Sequence, residues 1–494
     1  MITASNLGDI LSPSVDPEKI AIIGVDAGQS ETILTYGGLA ARAHAFARGL
    51  VRRGLKRGDR VAIVAANRPD YIALMLGAMQ AGIVPAPVNF KFPKATIEHV
   101  ISDSGARAVF CDPARRDQVA DGVEAIDFDG PGIAEWLDAG AFTPVVPEER
   151  EPALTLYTSG STGRPKGVLL SHAAHLWVVR TRMADNDLSD DRVLIAAPLY
   201  HMNALANALL ALASGATVVL LPQFQARSFI GAIARHRCTW ATAVPPMIAM
   251  MLREKEALAD ADLSSVRVVR MGSAPVNDTL SGQIRELLPN ARIINAYGTT
   301  EGGPVVFFST GDEPTGSVGK PHPGVELRLV GEEAPDKGVL QMKSPAIMLG
   351  YHNRPDVRSP ITDDGFYDTG DVFRRDEDGF YYFVGRTDDM FVSGGENIFP
   401  GEVEAVLETH PEVLQASVVP VDDDIKGQKP VAFIVRKPGS TVDEQAIKAF
   451  ALENAPAYQH PRRVWFLDQM LLASTNKIDR AALRARAEAE LKAS

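Results

Sequence analysis

The strongest constraint on the fold is the way strand-like and helix-like stretches alternate along the chain. "TYGGLAARAHAFARGLVRRGL" (Thr35 to Leu55) carries its apolar residues at helical spacing after a turn. "DRVAIVAA" then reads as a buried strand, "PDYIALMLGAMQAG" as the next helix, and a further turn leads to "IVPAPVN". Units of this kind wind around a largely parallel sheet, because each helix returns the chain to the same edge. At 494 residues the chain exceeds what one hydrophobic core usually supports, so at least two domains are expected. The composition changes within "VGRTDDMFVSGGENIFP" (Val384 to Pro400), where charged residues and paired glycines suit a hinge. The fold class is therefore α/β. A large N-terminal domain of α/β subdomains, residues 1–387, precedes a small mobile α+β C-terminal domain, residues 388–494. "VVPEEREPA" (Val145 to Ala153) reads as a surface connection.

Charge and cysteine content narrow the partners. A net charge of −12 argues against nucleic acid or an anionic membrane surface, so an anionic ligand must be held by a local cluster of cations and N–H groups. The two cysteines, Cys111 and Cys238, form no disulfide framework or zinc spacing, which fits a reducing cytoplasm. The most apolar run, Val193 to Leu221, is broken by Pro198, His201, Asn203, Asn207 and Gly215. It reads as a buried strand, turn and helix, and no integral membrane segment is expected. A homodimer stays open.

One loop is built for phosphate. "TLYTSGSTGRPKGVLLSH" offers hydroxyl donors at Thr158, Ser159, Ser161 and Thr162. Gly160 and Gly163 let backbone N–H groups approach, and Lys166 adds a cation. It is not a Walker loop, because a strand-like Gly167-Val168-Leu169-Leu170 follows the lysine where a helix would be required. An exposed Ser/Gly loop would look the same in isolation, so its context decides.

That context resembles a family. "YTSGSTGRPKG", "NAYGTTE" (Asn295 to Glu301), "YDTGD" (Tyr367 to Asp371), the hinge phrase and "STNKIDR" (Ser474 to Arg480) occur in order. Together they resemble the motifs of the acyl-adenylate-forming enzymes, which include acyl- and aryl-CoA synthetases, peptide-synthetase adenylation domains and beetle luciferases. The resemblance implies ATP, magnesium and coenzyme A acting with a small carboxylic acid, through an acyl-AMP intermediate. It implies that Glu301 helps bind the metal. Gly272, Ser273, Ala274 and Pro275 would wall the adenine together with Asn295, Ala296, Tyr297, Gly298 and Thr299, with Tyr297 stacking on the base. Asp371 and Arg386 would contact the ribose, Lys477 would reach the α-phosphate and the attacking carboxylate, and Asp388 would be the pivot of domain rotation.

For the other ligands the resemblance places Gly394, Gly395, Glu396, Lys426, Tyr458, His460 and Arg462 near coenzyme A. It places His201, Met202, Asn203, Val244, Ser273, Ala296 and Gly303 on the acyl pocket. With no arginine or lysine among those pocket positions, a second substrate carboxylate would stay unpaired. The hinge phrase resembles halobenzoate-type aryl-CoA ligases, while "VPP" and "GTTEGGPV" are similar to hydroxycinnamate and fatty-acid ligases. An aromatic or medium-chain acid follows. Other acceptors (a carrier protein, an amine or oxygen) and a catalytically inactive nucleotide-binding homologue remain the alternatives.

Overall fold

A computed structural model describes residues 3–26, 28–120, 122–158, 164–272, 276, 278–473 and 477–493. The first expected helix forms as Tyr36–Arg52, with the Thr35 hydroxyl accepting from the Gly38 N–H at its start. Its apolar stripe buries Leu39, Ala43, Phe46 and Leu50. The second helix, Pro69–Gln80, opens on a proline, which supplies no N–H where none is needed. Its residues from Tyr71 to Gln80 are all buried, because it is covered by the first helix on one side and by sheet on the other.

Two parallel sheets form the bulk of the chain. The smaller runs Val84–Pro87, Arg60–Val64, Ala106–Cys111, Ala125–Asp127. The larger has seven strands in the order Arg292–Ala296, Val268–Gly272, Trp240–Ala243, Arg192–Ile195, Thr217–Leu220, Ile20–Val25, Glu31–Thr35. Only the last pair of the larger sheet is antiparallel. The run from Val193 to Leu221 is a buried strand, turn, helix Met202–Ala213 and second strand, in keeping with its broken pattern. Among the described residues, no helix is long and apolar enough to cross a membrane.

The parallel reading does not extend to residues 300–386, which are antiparallel. A six-stranded sheet there runs Phe307–Phe308, Ser317–Pro321, Tyr381–Arg386, Tyr367–Arg375, Lys337–Lys343, Glu326–Ala334. Strands Pro152–Thr158, Lys166–Ser171 and Gly350–Tyr351 make a third, antiparallel element. Phe307–Phe308 with Ser317–Pro321, Glu326–Ala334 with Lys337–Lys343, and Tyr367–Arg375 with Tyr381–Arg386 pair as hairpins, their connections being too short to return as helices. The pairings of Ser317–Pro321 with Tyr381–Arg386, Lys337–Lys343 with Tyr367–Arg375, and Gly350–Tyr351 with Lys166–Ser171 join strands distant in sequence.

Beyond the strand Tyr381–Arg386 lies a separate five-stranded sheet with its own core on each face. Its strand Gly427–Arg436 alternates: Ala432 and Ile434 pack under helices Pro400–Glu408 and Glu444–Asn454, whereas Val431, Phe433 and Val435 face helix Arg480–Ala493. Helix Pro400–Glu408 also lies against strand Tyr381–Arg386, where a Cβ on Gly401 would fall 2.7 Å from the Val384 carbonyl.

Close helix packing in the large lobe depends on one glycine. A Cβ on Gly77 would stand 2.3 Å from the Ala43 carbonyl oxygen of the neighbouring helix. Gly77→Ala is expected to destabilise the protein by about 1–3 kcal/mol. Gly231→Ala, at an exposed position of helix Ala226–His236 with no atom near the added methyl, should leave stability unchanged or raise it by up to ~1 kcal/mol. Thermal denaturation of the two variants checks the contrast.

Candidate active site

Parallel strands deliver their carboxyl ends to one edge, and ligands collect there. In the seven-stranded sheet that edge carries Gly272, Ala296, Val244 and, after a short turn, His201. These residues line one open cleft of about 2530 Å³ that also takes in residues of the antiparallel sheets and of the small lobe. Its size exceeds the roughly 300–1,000 Å³ of a single-ligand pocket, so it has room for more than one ligand.

Ser159, Gly160, Ser161, Thr162 and Gly163 lie outside the described residues, as do Ser273, Ala274 and Pro275. The flanks of the phosphate loop are described. Thr158 and Lys166 face each other in register at the ends of two antiparallel strands. The Thr158 hydroxyl approaches Glu301 Oε1 at 3.4 Å, and the Tyr351 hydroxyl donates to the same oxygen at 3.3 Å. The Lys166 ammonium stands 5.3 Å from the centre of the Tyr351 ring. A cation, a hydroxyl and a carboxylate are thus gathered at the mouth of the loop.

A second cluster stands opposite. Asp371 and Arg386 are register partners on neighbouring strands, with Nε 3.6 Å from Oδ1. The Tyr297 hydroxyl donates to Asp371 Oδ2 at 2.5 Å, while its ring packs edge-on against Phe373 with centroids 4.8 Å apart. Burial raises the Asp371 pKa, against the pull of Tyr297, Arg386 and Lys477. Asn295 fastens the adjoining backbone by donating to the Ser317 carbonyl at 3.0 Å. Asn295, Ala296, Tyr297, Gly298 and Thr299 all line the cleft.

Lys477 enters from the small lobe beside the antiparallel bridge of Leu472 with Ile478, and the Ala473 N–H donates to its carbonyl at 2.7 Å. Its side chain reaches solvent, but solvent inside a cleft walled by protein, and that desolvation followed by Arg386 lowers its pKa, with Asp371 opposing. Three residues on, Arg480 anchors this segment: it forks onto Glu404 at 2.5 and 2.7 Å and donates to the Val418 carbonyl at 2.9 Å. The small lobe is tied to the large one by Lys337 and Glu402, whose charged atoms are 2.7 Å apart. Asp388 sits where the chain leaves the large sheet, 3.6 Å from the Arg386 guanidinium, and lines the cleft.

His201 packs against Tyr200 with ring centroids 4.6 Å apart. Its Nε2 has no hydrogen-bond partner, and its side chain does not cap the helix that follows. Burial, Lys477 and Lys91 hold its pKa down to about 3, so the ring is neutral at physiological pH. Met202, Asn203 and Val244 line the cleft beside it.

Two expectations are corrected. Gly303 is not on the pocket wall: it takes φ 89° in the Thr299–Gly303 turn, and a Cβ there would meet the Ala346 Cβ at 2.6 Å. The pocket also does contain an arginine. Arg270, two residues before Gly272 on its strand, lines the cleft and donates to Asn203 Oδ1 at 3.3 Å.

The residues assigned to coenzyme A are not brought to this cleft. Gly394 and Gly395, with φ 62° and 91°, form the turn between strands Phe391–Ser393 and Glu396–Ile398. The Gly394 N–H donates to the Lys426 carbonyl at 3.0 Å. Arg462 and His460 are 2.9 Å apart, and the charge of Lys426 reaches His460. None of Gly394, Gly395, Glu396, Lys426, Tyr458, His460 and Arg462 lines the Lys477 cleft.

The AMP-binding enzyme family matches residues 12–352, and its C-terminal domain matches residues 402–477. The chain belongs to this family. It is 34% identical to a feruloyl-CoA synthase of Amycolatopsis over 92% of this chain and 94% of that one. ATP-bound MatB of Rhodopseudomonas palustris superposes with a TM-score of 0.87 at 28% identity, covering 98% and 99% of the two chains. An anthranilate CoA ligase in complex with anthranoyl-AMP, AuaEII, gives 0.87 at 25% identity over 98% and 97%.

The motifs did not point to Tyr351, Arg270 or a role for Arg480. Arg480 was within reach as the residue closing "STNKIDR", since an arginine at a helix start needs an acid partner to stay buried. Tyr351 carries no such signal.

The lowered Lys477 pKa has a kinetic consequence. Its charged form persists below that pKa and is lost as pH rises through it. Acyl-AMP formation should therefore fall on an alkaline limb below the ordinary lysine value of 10.5. In Lys477→Arg, whose guanidinium stays charged, the limb should vanish. Single-turnover pyrophosphate release across pH measures both.

Proposed function

We propose that this chain, an ATP-dependent, AMP-forming acid–CoA ligase, activates an aromatic or medium-length carboxylic acid and passes the acyl group to coenzyme A. The observation that carries the reading is Lys477 standing in the cleft beside Asp371 and Arg386, opposite the phosphate-loop cluster of Thr158, Lys166 and Glu301. The carboxylate oxygen attacks the α-phosphorus and the bond to the pyrophosphate oxygen breaks, giving acyl-AMP. Bringing one anion against a polyanion makes charge neutralisation the dominant demand. Lys477 neutralises the meeting point, Lys166 the outer phosphates, and Asp371 accepts from the ribose hydroxyls.

Magnesium fits the oxygen donors at Glu301. Among the described residues no cluster of three or more ligating side chains exists, so one protein carboxylate and the nucleotide's phosphates would hold the ion. When bound, it neutralises phosphate charge.

In the second half-reaction the thiol sulfur attacks the acyl carbon and AMP leaves. Gly394, Gly395, Glu396, Lys426, Tyr458, His460 and Arg462 would serve that step after rotation of residues 388–494 about Asp388, since in the docked arrangement they lie off the cleft. The aromatic acids named for the feruloyl and anthranilate relatives support an aromatic substrate. Both thiols are free and buried, consistent with a cytoplasmic enzyme.

Pyrophosphate and AMP release over a panel of acids, with and without coenzyme A, tests the class. Lys477→Ala should lower acyl-AMP formation by about 10²–10³-fold, while thioester formation from supplied acyl-AMP stays near the unaltered rate. Equal loss of both steps, or ADP as product, contradicts the reading.

A further inference from the structure

Among the described residues, the guanidinium of Arg270 lines the cleft without a carboxylate partner, and a second guanidinium, Arg182, lies buried behind it. Arg270 extends from the strand Val268–Gly272 on the same face as Gly272, whose added Cβ would lie 3.6 Å from the Asn203 amide nitrogen. Asn203 Oδ1 accepts from Arg270 at 3.3 Å and from the Asn207 amide at 3.1 Å. Asn207 Oδ1 in turn accepts from Arg182 at 3.0 Å. Two cations therefore share two neutral amides. Among the described residues neither forms an ion pair with a carboxylate, and Arg182 Nη1, fully sequestered, has no partner at all. Among the described residues, the acid whose charge reaches Arg182 is Asp185.

Such an arrangement is costly in an otherwise acidic protein. A buried guanidinium ordinarily finds a carboxylate, because unpaired charge in a low-dielectric site is strongly penalised. Here burial pulls the Arg270 pKa down to about 10, and its one hydrogen bond is long. Its side chain is still partly accessible, and it lines the cleft as well as a smaller recess shared with Arg182 and Asp185. Position matters as well. Arg270 lines the cleft from the strand Val268–Gly272 of the large lobe, beside Asn203, whereas Lys477 enters the same cleft from the small lobe.

We infer that the acyl pocket recognises a second anionic group, a carboxylate or sulfonate, at the end of the acid remote from the one activated, and that Arg270 binds it. The inference rests on the ligase reading above and narrows its substrate class. An acid lacking the group leaves Arg270 desolvated with only Asn203 as partner. A matching anion forks onto the guanidinium and relieves its repulsion with Arg182.

The test uses matched pairs of acids on the full-length enzyme, assayed by pyrophosphate release with coenzyme A. Each pair shares a ring or chain and differs only in a distal carboxylate or sulfonate. The unaltered enzyme should show the higher kcat/KM for the charged member of at least one pair. Arg270→Gln, and separately Arg270→Met, should shift that ratio toward the neutral member by ~10–100-fold, chiefly through KM. A preference for the neutral member in every pair with the unaltered enzyme overturns the inference and leaves the ligase reading standing, and this comparison needs no variant to fold. A proportional change of both members in the variants overturns it too. Pyrophosphate release with no acid of any pair overturns the ligase reading, and the inference falls with it.

Discussion

Two anions must meet before anything else can happen at this site. A carboxylate approaching a triphosphate is repelled along the whole path, and in the cleft's reduced dielectric that repulsion is stronger than in water. The fixed cation Lys166 belongs to the large lobe, at the phosphate loop. Lys477 comes from the other lobe, next to the bridge of Leu472 with Ile478. The structure therefore has to solve a positioning problem, and the Arg480–Glu404 fork does so within the small lobe. Between lobes, the Lys337–Glu402 pair and the close seat of Gly401 on Val384 hold the orientation. An ion pair with each partner about 29% exposed is worth little on its own, so it fixes the orientation without contributing much to the docking energy.

The same arrangement leaves the proposed coenzyme A residues away from the reaction centre. One face of the small lobe presents Lys477, while the glycine turn at Gly394 and Gly395 lies off the cleft. The lobe is joined to the rest by a short segment between Arg386 and Phe391, and the proposed rotation would take place there. Asp388 is exposed and stands 3.6 Å from the Arg386 guanidinium within that segment.

Local pattern carried a good part of this fold. Helices Tyr36–Arg52 and Pro69–Gln80 and the strand between them follow from spacing, a threonine cap and a proline start. The antiparallel region after Glu301 was less legible, because strand periodicity states that a strand exists without stating its direction or partner. In the site, sheet register brings Asp371 and Arg386 together, and Tyr297, just past the end of a strand in another sheet, joins them through its hydroxyl, so residues 89 positions apart converge. Arg270 stayed hidden for a related reason. In sequence it is one more residue of a strand, and only the neighbouring helix start, carrying His201 and Asn203, turns it into part of a pocket. Gly303 failed in the opposite sense, being conformationally required in a turn and not open to ligand.

Bridging the lobes tests the central claim most directly. Both native cysteines are buried, so Lys337→Cys with Glu402→Cys offers the reagent a unique accessible pair at the docking contact. Closed by a short, reducible bifunctional thiol reagent, the protein should still form acyl-AMP from ATP and a substrate acid, yet fail to yield the thioester until the bridge is reduced. Thioester production by the bridged protein at the rate of the reduced one would contradict the account.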